Sequence, residues 1–352
     1  MGIIALLTDM VGKGASDVFI VAGRPIAAKI SGVISNWSDE MLMPDKTWEL
    51  LAEIYALSGE RDMEAFLRRG DDDFSFSVKS VARFRVSAYK QRGSLAAVIR
   101  VVSFTLPNSK DMHIPDPVVE LSDVNKGLIL VTGPAGCGKS TTLACMIDRI
   151  NTGRSSHIIT LEDPIEFTHS HKKSIISQRE VALDTDSYVI ALRAALRQSP
   201  DVILIGELRE TETIGIAMTA AETGHLVIST LHTLGAANTV DRIVDVFPVE
   251  RQGQIRMQLS MVLNAVVSQQ LIPAKDGGVI PAFEVMHCTT AIRNMIREGK
   301  THQIDSVITS SAAQGMVSMN TYLQRLYGEG KIEKDVAIEY SFAPEALRKA
   351  LG

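Results

Sequence analysis

Three groups of residues in this chain have the types and spacing for phosphate chemistry. The first is Gly133-Pro134-Ala135-Gly136-Cys137-Gly138-Lys139-Ser140, which satisfies G-x-x-x-x-G-K-[ST]. Glycines there let backbone N–H groups close around phosphate oxygens, and the start of a following helix adds a positive field. Lys139 is expected to neutralise the β- and γ-phosphates and the Ser140 hydroxyl to ligate Mg²⁺, with Thr141 and Thr142 completing the nucleotide-binding segment. The motif specifies NTP binding and leaves the reaction open. Cys137 stands inside it, beside Lys139 and at a helix N-terminus, so its thiol is expected to have a lowered pKa and to be reactive, whereas Cys145 is expected to be buried and inert.

The second group is acidic. Ile158-Ile159-Thr160-Leu161-Glu162-Asp163 reads as a buried strand ending in carboxylates, stopped by Pro164. Asp201-Val202-Ile203-Leu204-Ile205-Gly206-Glu207 ends the same way, with Glu207 after Gly206 where a standard Walker B strand shows Asp-Glu. In open α/β sheets, ligands bind beyond the carboxyl ends of strands. Glu162 and Glu207 are therefore placed to hold Mg²⁺ or to activate a water toward the γ-phosphorus. The third group is His225 and His232, seven residues apart, with His225 opening the strand-like run His225–Thr230 and His232 just past its end, too far apart for a helical zinc pair. His232, past the strand's carboxyl end, suits hydrogen bonding to a γ-phosphate; His225, at the opposite end, suits packing or a subunit contact.

The elements that must carry these groups fall into two patterns. From residue 119 on, buried runs at Gly127–Thr132, His157–Leu161, Val202–Ile205 and His225–Thr230 alternate with helical stretches, as in a parallel sheet covered on both faces. Residues 1–102 read instead as a small mixed domain. It has a helix over 1–12, a strand over 17–21, a helix over 47–68, a strand over 74–78, and a hairpin whose arms run 83–89 and 94–102. Pro107, Pro115 and Pro117 mark 103–118 as a linker. Arg83 and Arg85 fall on one face of their strand because strand side chains alternate, and Arg100 lies on the returning arm; such a set suits phosphate oxygens or a solvated hairpin face.

Composition narrows the field. The 352 residues include 45% apolar and 22% charged side chains, enough apolar residues for a core, which excludes a disordered chain. Thirty-six Lys and Arg against 41 Asp and Glu give a net charge of −5, and aromatics make up 5%, which argues against a nucleic-acid binder. Three scattered cysteines form no disulfide framework. The apolar start at Met1–Leu7 has no basic region before it and meets Asp9 at once, unlike a secretory signal, and no run approaches the ~20 apolar residues of a membrane-spanning helix. A cytoplasmic protein is expected.

Taken together, the motifs resemble the PilT family of type IV pilus retraction ATPases within the secretion-ATPase superfamily. The resemblance runs over essentially the whole chain. It rests on the phosphate loop, Thr160–Glu166, Leu196–Arg209, the segment holding His225 and His232, and Gly14-Ala15-Ser16-Asp17. Those nucleotide motifs are shared with assembly and secretion motors. Ala291-Ile292-Arg293-Asn294-Met295-Ile296-Arg297-Glu298 is similar to the AIRNLIRE segment of retraction motors, with Met295 for Leu, a volume-conserving change. That segment also reads independently as an amphipathic helix with Gly299 as C-cap. Three cysteines cannot supply the tetra-cysteine zinc insert of assembly and secretion ATPases. Cys137 and Glu210 depart from the family's Ser and Asp.

The resemblance implies a PAS-like α/β domain over 1–102, the linker over 103–118 and a RecA-like P-loop domain with a mostly parallel sheet over 119–352. It implies ATP and Mg²⁺, a homohexameric ring, and arginines reaching the phosphates, Arg85 and Arg100 foremost. Glu207 would activate water, Ser140, Glu162 and Glu207 would hold the metal, and His225 and His232 would belong to the catalytic set. It implies a motor for pilus retraction and twitching motility at the inner face of the cytoplasmic membrane. Contact with that membrane would come only through an inner-membrane platform protein, and no nucleic acid would be bound. A pilus assembly or type II secretion ATPase is the alternative, with a RecA-like nucleic-acid motor further off.

Overall fold

A computed structural model describes residues 2–30, 32–59, 61–102 and 105–352. The chain divides into two compact units, residues 1–105 with 166–168, and residues 106–165 with 169–352. Ser103 and Phe104, the start of the expected linker, lie outside the described residues. The rest of that stretch belongs to the second unit, with Ile114 and Val118 buried in its core and a short helix at Asp116–Glu120.

The first unit is built on six antiparallel strands, β1 (Ala15–Ile20), β2 (Ala27–Ile30), β3 (Val33–Asn36), β4 (Asp71–Val78), β5 (Ala82–Gln91) and β6 (Ser94–Val102), in the order β3-β2-β1-β6-β5-β4. Alternation sorts the side chains. Phe84, Val86, Val18 and Ile99 enter one core, where they meet Leu7 and Met10 of the helix Ile3–Gly12 and Leu51 and Ile54 of the helix Pro44–Leu57. The expected single helix over 47–68 is two. Pro44 opens the first, and Gly59 at φ +78° follows its end. Asp62 caps the second, Met63–Arg69, by accepting from the Glu64 N–H at 2.8 Å.

The second unit holds β7 (Gly127–Thr132), β8 (His157–Glu162), β9 (Ile175–Glu180), β10 (Val202–Ile205), β11 (Leu226–Leu231), β12 (Leu263–Pro273) and β13 (Val279–His287), ordered β13-β12-β7-β11-β10-β8-β9. All neighbours are parallel except β12 and β13, which form an antiparallel hairpin. Both faces are covered. Leu128, Leu130, Ile159, Ile203 and Ile205 enter one core, and Ile129, Val131, Ile158, Val202 and Leu204 enter the other. This explains the near-continuous apolar runs. The functional groups therefore leave the sheet only at the carboxyl ends of β7, β8, β10 and β11. Among the described residues, no helix is long and apolar enough to cross a membrane.

Candidate nucleotide site

β7 is buried along its whole length and delivers the chain to Gly133. Gly133 has φ +144°, and a Cβ there would stand 2.2 Å from the Gln269 carbonyl oxygen, so only glycine fits. Gly138, at φ +89°, precedes the helix Lys139–Gly153, and a Cβ on it would meet Gln269 Nε2 at 2.9 Å. These two glycines let the loop close directly onto Gln269 of β12. Lys139 is buried, and its ammonium donates to the Gly133 and Pro134 carbonyls at 2.8 Å each. It also lies 3.5 Å from His232 Nδ1.

His232 joins two strand ends. Its Nε2 is 3.3 Å from Glu207 Oε2, and Arg209 Nε forms an ion pair with that same oxygen at 2.7 Å. The sequence-predicted Lys139, His232 and Glu207 thus form one chain across the carboxyl ends of β7, β11 and β10, extended by Arg209. Glu207 is largely shielded, its side chain 19% exposed, which strengthens its electrostatic contacts. Gly206 has a steric reason to be glycine where Walker B strands carry Asp, since a Cβ would lie 2.7 Å from the Tyr188 hydroxyl. Burial pushes the Tyr188 phenol up, reinforced by Asp163, Glu207 and Glu162. Glu162 accepts from Thr160 Oγ1 at 2.7 Å and from Gln178 Nε2 at 3.2 Å, so β9 orients it.

Not every expected residue arrives here. His225 sits at the start of β11, its Nδ1 2.9 Å from the Ala220 carbonyl. A six-residue strand, roughly 20 Å long, separates it from His232, so within this chain it stands apart from Lys139, His232 and Glu207. Thr142 is fully buried, and its hydroxyl donates to Gln269 Oε1 at 2.7 Å. Cys137 is 3% exposed. Burial pushes its thiol pKa up against the pull of Lys139, which corrects the expectation of a reactive thiolate; desolvation outweighs the neighbouring charge. Cys145 is buried with its thiol pushed up to about 11, consistent with an inert side chain.

Arg85 and Arg100 belong to the first unit and stand directly opposite each other on β5 and β6. Arg100 is also opposite Asp17 and donates to its Oδ1 at 3.0 Å. Arg83 shares their face by alternation.

Glycine-lined amides, a lysine and the Ser140 hydroxyl fit a nucleoside phosphate. Among the described residues, no three His, Cys, Asp or Glu side chains gather as a metal cage. Ser140 and the strand-end carboxylates Glu162 and Glu207 are oxygen donors of the kind Mg²⁺ takes beside phosphate oxygens.

Sequence reasoning missed Tyr188, Gln178 and Gln269, because polar residues on strands or at the first position of a helix, where Tyr188 opens Tyr188–Ala195, match no motif. It also missed how the loop after His232 is held. The Gly235 N–H donates to Ser268 Oγ and the Ala236 N–H to Glu284 Oε1, both at 2.9 Å. Glu284 Oε2 accepts from the Met319 N–H at 3.3 Å. The Ala291–Glu298 segment lies in the helix Thr290–Glu298, capped by Thr289. From it Arg293 reaches the Ser260 and Met261 carbonyls, at 2.5 and 2.8 Å, at the end of the helix Val249–Val262.

A family model described as type II/IV secretion system protein matches residues 2–335. The chain is 44% identical over 345 residues to the type IV pilus retractation ATPase PilT of Pseudomonas aeruginosa, covering 98% of this chain and 99% of that protein. It is 49% identical over 278 residues to a twitching motility protein of Neisseria gonorrhoeae, 79% of this chain and 72% of that one. A crystal structure of the pilus retraction motor PilT with bound ADP superimposes with a TM-score of 0.90 at 46% identity over 99% of both chains.

Proposed function

The chain belongs to the type II/IV secretion system protein family and resembles its PilT-type pilus retraction ATPases, and on that premise we propose that it is an Mg²⁺-dependent ATPase working as a homohexamer to retract a type IV pilus and drive twitching motility. One observation carries the chemistry, the chain from Lys139 through His232 to Glu207 beside a glycine loop.

The loop amides and Lys139 bind and orient the β- and γ-phosphates. Ser140, with support from Glu162, would hold Mg²⁺, which would supply charge neutralisation on the phosphate oxygens. Glu207 accepts the proton of the attacking water as the new oxygen–phosphorus bond forms and the β–γ bridge breaks. His232, within reach of both Lys139 and Glu207, reads the presence of the γ-phosphate. Arg85 and Arg100 act on nucleotide shared between subunits. The ring works at the inner face of the cytoplasmic membrane, through a platform protein.

The test has two arms. Glu207→Gln keeps ATP binding and cuts turnover at least ~100-fold, the loss expected of a general base; near-normal turnover overturns that role. A strain lacking this chain shows excess pili without twitching. Absent pili would identify an assembly motor instead.

A further inference from the structure

The phosphate loop is held from behind by a residue that none of the nucleotide motifs contains. Gln269, on β12, is 2% exposed. Its Nε2 donates to the Cys137 carbonyl at 2.7 Å, and its Oε1 accepts from Thr142 Oγ1 at 2.7 Å. A carbonyl can only accept, so the amide nitrogen must face Cys137, and Thr142 then holds the amide in that orientation. One side chain therefore grips the loop just before Gly138 and the helix just after Lys139.

The consequence follows from peptide geometry. In a trans peptide the C=O and the next N–H point in opposite directions. Drawing the Cys137 carbonyl toward Gln269 turns the Gly138 N–H the other way. The two glycines beside Gln269 have no Cβ to keep β12 at a distance, and the Gln269 backbone oxygen lies where a Gly133 Cβ would be. The neighbouring Ser268 points to the opposite sheet face and accepts from the Gly235 N–H, past His232.

We propose that Gln269 is a positioning residue for nucleotide binding. By fixing the Cys137–Gly138 peptide plane it aims the Gly138 N–H at the phosphates and keeps the Cys137 thiol covered. The inference rests on the nucleotide-site reading above and names a residue that sets its affinity.

The experiment measures ADP binding calorimetrically on the full chain, thermal unfolding, and the rate of Cys137 alkylation by iodoacetamide, for wild type, Gln269→Leu, Gln269→Glu and Thr142→Val. Both Gln269 variants lose the donor to the Cys137 carbonyl and are expected to raise the ADP Kd at least about tenfold, equivalent to ~1.4 kcal/mol. Cys137 labelling should accelerate in both. Thr142→Val keeps that donor, so a smaller rise is expected. A merely structural role would lower the unfolding temperature and leave the Kd of the folded protein unchanged, and that result overturns the proposal. So does wild-type Cys137 labelling in both Gln269 variants. If Gln269→Leu does not fold, the other two variants decide. Wild-type protein that fails to bind ADP would overturn the nucleotide-site reading itself, a different outcome from equal binding by wild type and variants.

Discussion

In the first unit, β5 turns Phe84 and Val86 into the core and Arg83 and Arg85 to the other side, so charged side chains are displayed along the length of a strand. In the second unit no strand of the parallel core can do that, because β7, β8, β10 and β11 bury both faces. Its chemistry is confined to the last residue or two of each strand, and three of its interior polar groups, Ser268, Gln269 and Glu284, each end on a backbone or side-chain partner. The contrast teaches where change can be tolerated. An open face can exchange residues one at a time, whereas strand ends set in a double-sided core act as a unit.

The sharpest way to break this contrast is at the strand ends. Lys139→Ala is expected to abolish measurable ATP binding, whereas Arg100→Ala keeps it, since Arg100 lies on the open face with Asp17 as its partner. Mixing the two inactive chains should restore ATPase above either alone; no rescue in confirmed hexamers would count against a shared site.

Core substitutions come next. Phe84→Ala should cost ~3–5 kcal/mol and Ile203→Ala ~2–5 kcal/mol in urea unfolding, since both are fully buried. Acid separates the units further. Burial lowers the His169 pKa to about 4, so the unfolded chain binds the proton more readily and stability falls as pH drops from about 6.5 to about 4, by about 3 kcal/mol at most. His169→Asn should flatten that window. In the first unit, burial works against the Asp72 carboxylate, but hydrogen bonds from Arg61 and Tyr55 win and lower its pKa, so its contribution is lost only below the ordinary carboxylate range. Gly206→Ala should cost ~1–3 kcal/mol through overpacking against Tyr188, with Tyr188→Phe relieving part of it; no cost would mean the strand end yields. Ser87→Ala, exposed on β5, should stay within ~0.5 kcal/mol.

The strands bearing the nucleotide motifs were legible because buried parallel strands are continuous apolar runs and the glycine loop has a fixed spacing. Others were not. β12 begins at Leu263 directly after the helix ending at Val262, with no glycine or proline between, so nothing in the periodicity announces the change. β2 and β3 have four residues each, too few to establish a period. At the site, Lys139, His232 and Glu207 were named and the residues that hold the loop and strand ends were not. Gln269 and Glu284 look like misplaced polar residues until tertiary contacts give them partners. Cys137 misled because charge is visible in a sequence and burial is not.

The Glu284 carboxylate holds the first amides of two helices, Ala236–Asp245 and Met319–Gly328. Freeing either amide alone would leave a buried oxygen without its donor, at a cost of ~1–3 kcal/mol. The two helix starts, far apart in sequence, should therefore open together: in hydrogen–deuterium exchange the Ala236 and Met319 amides belong to one cooperative unit and gain deuterium at matched rates.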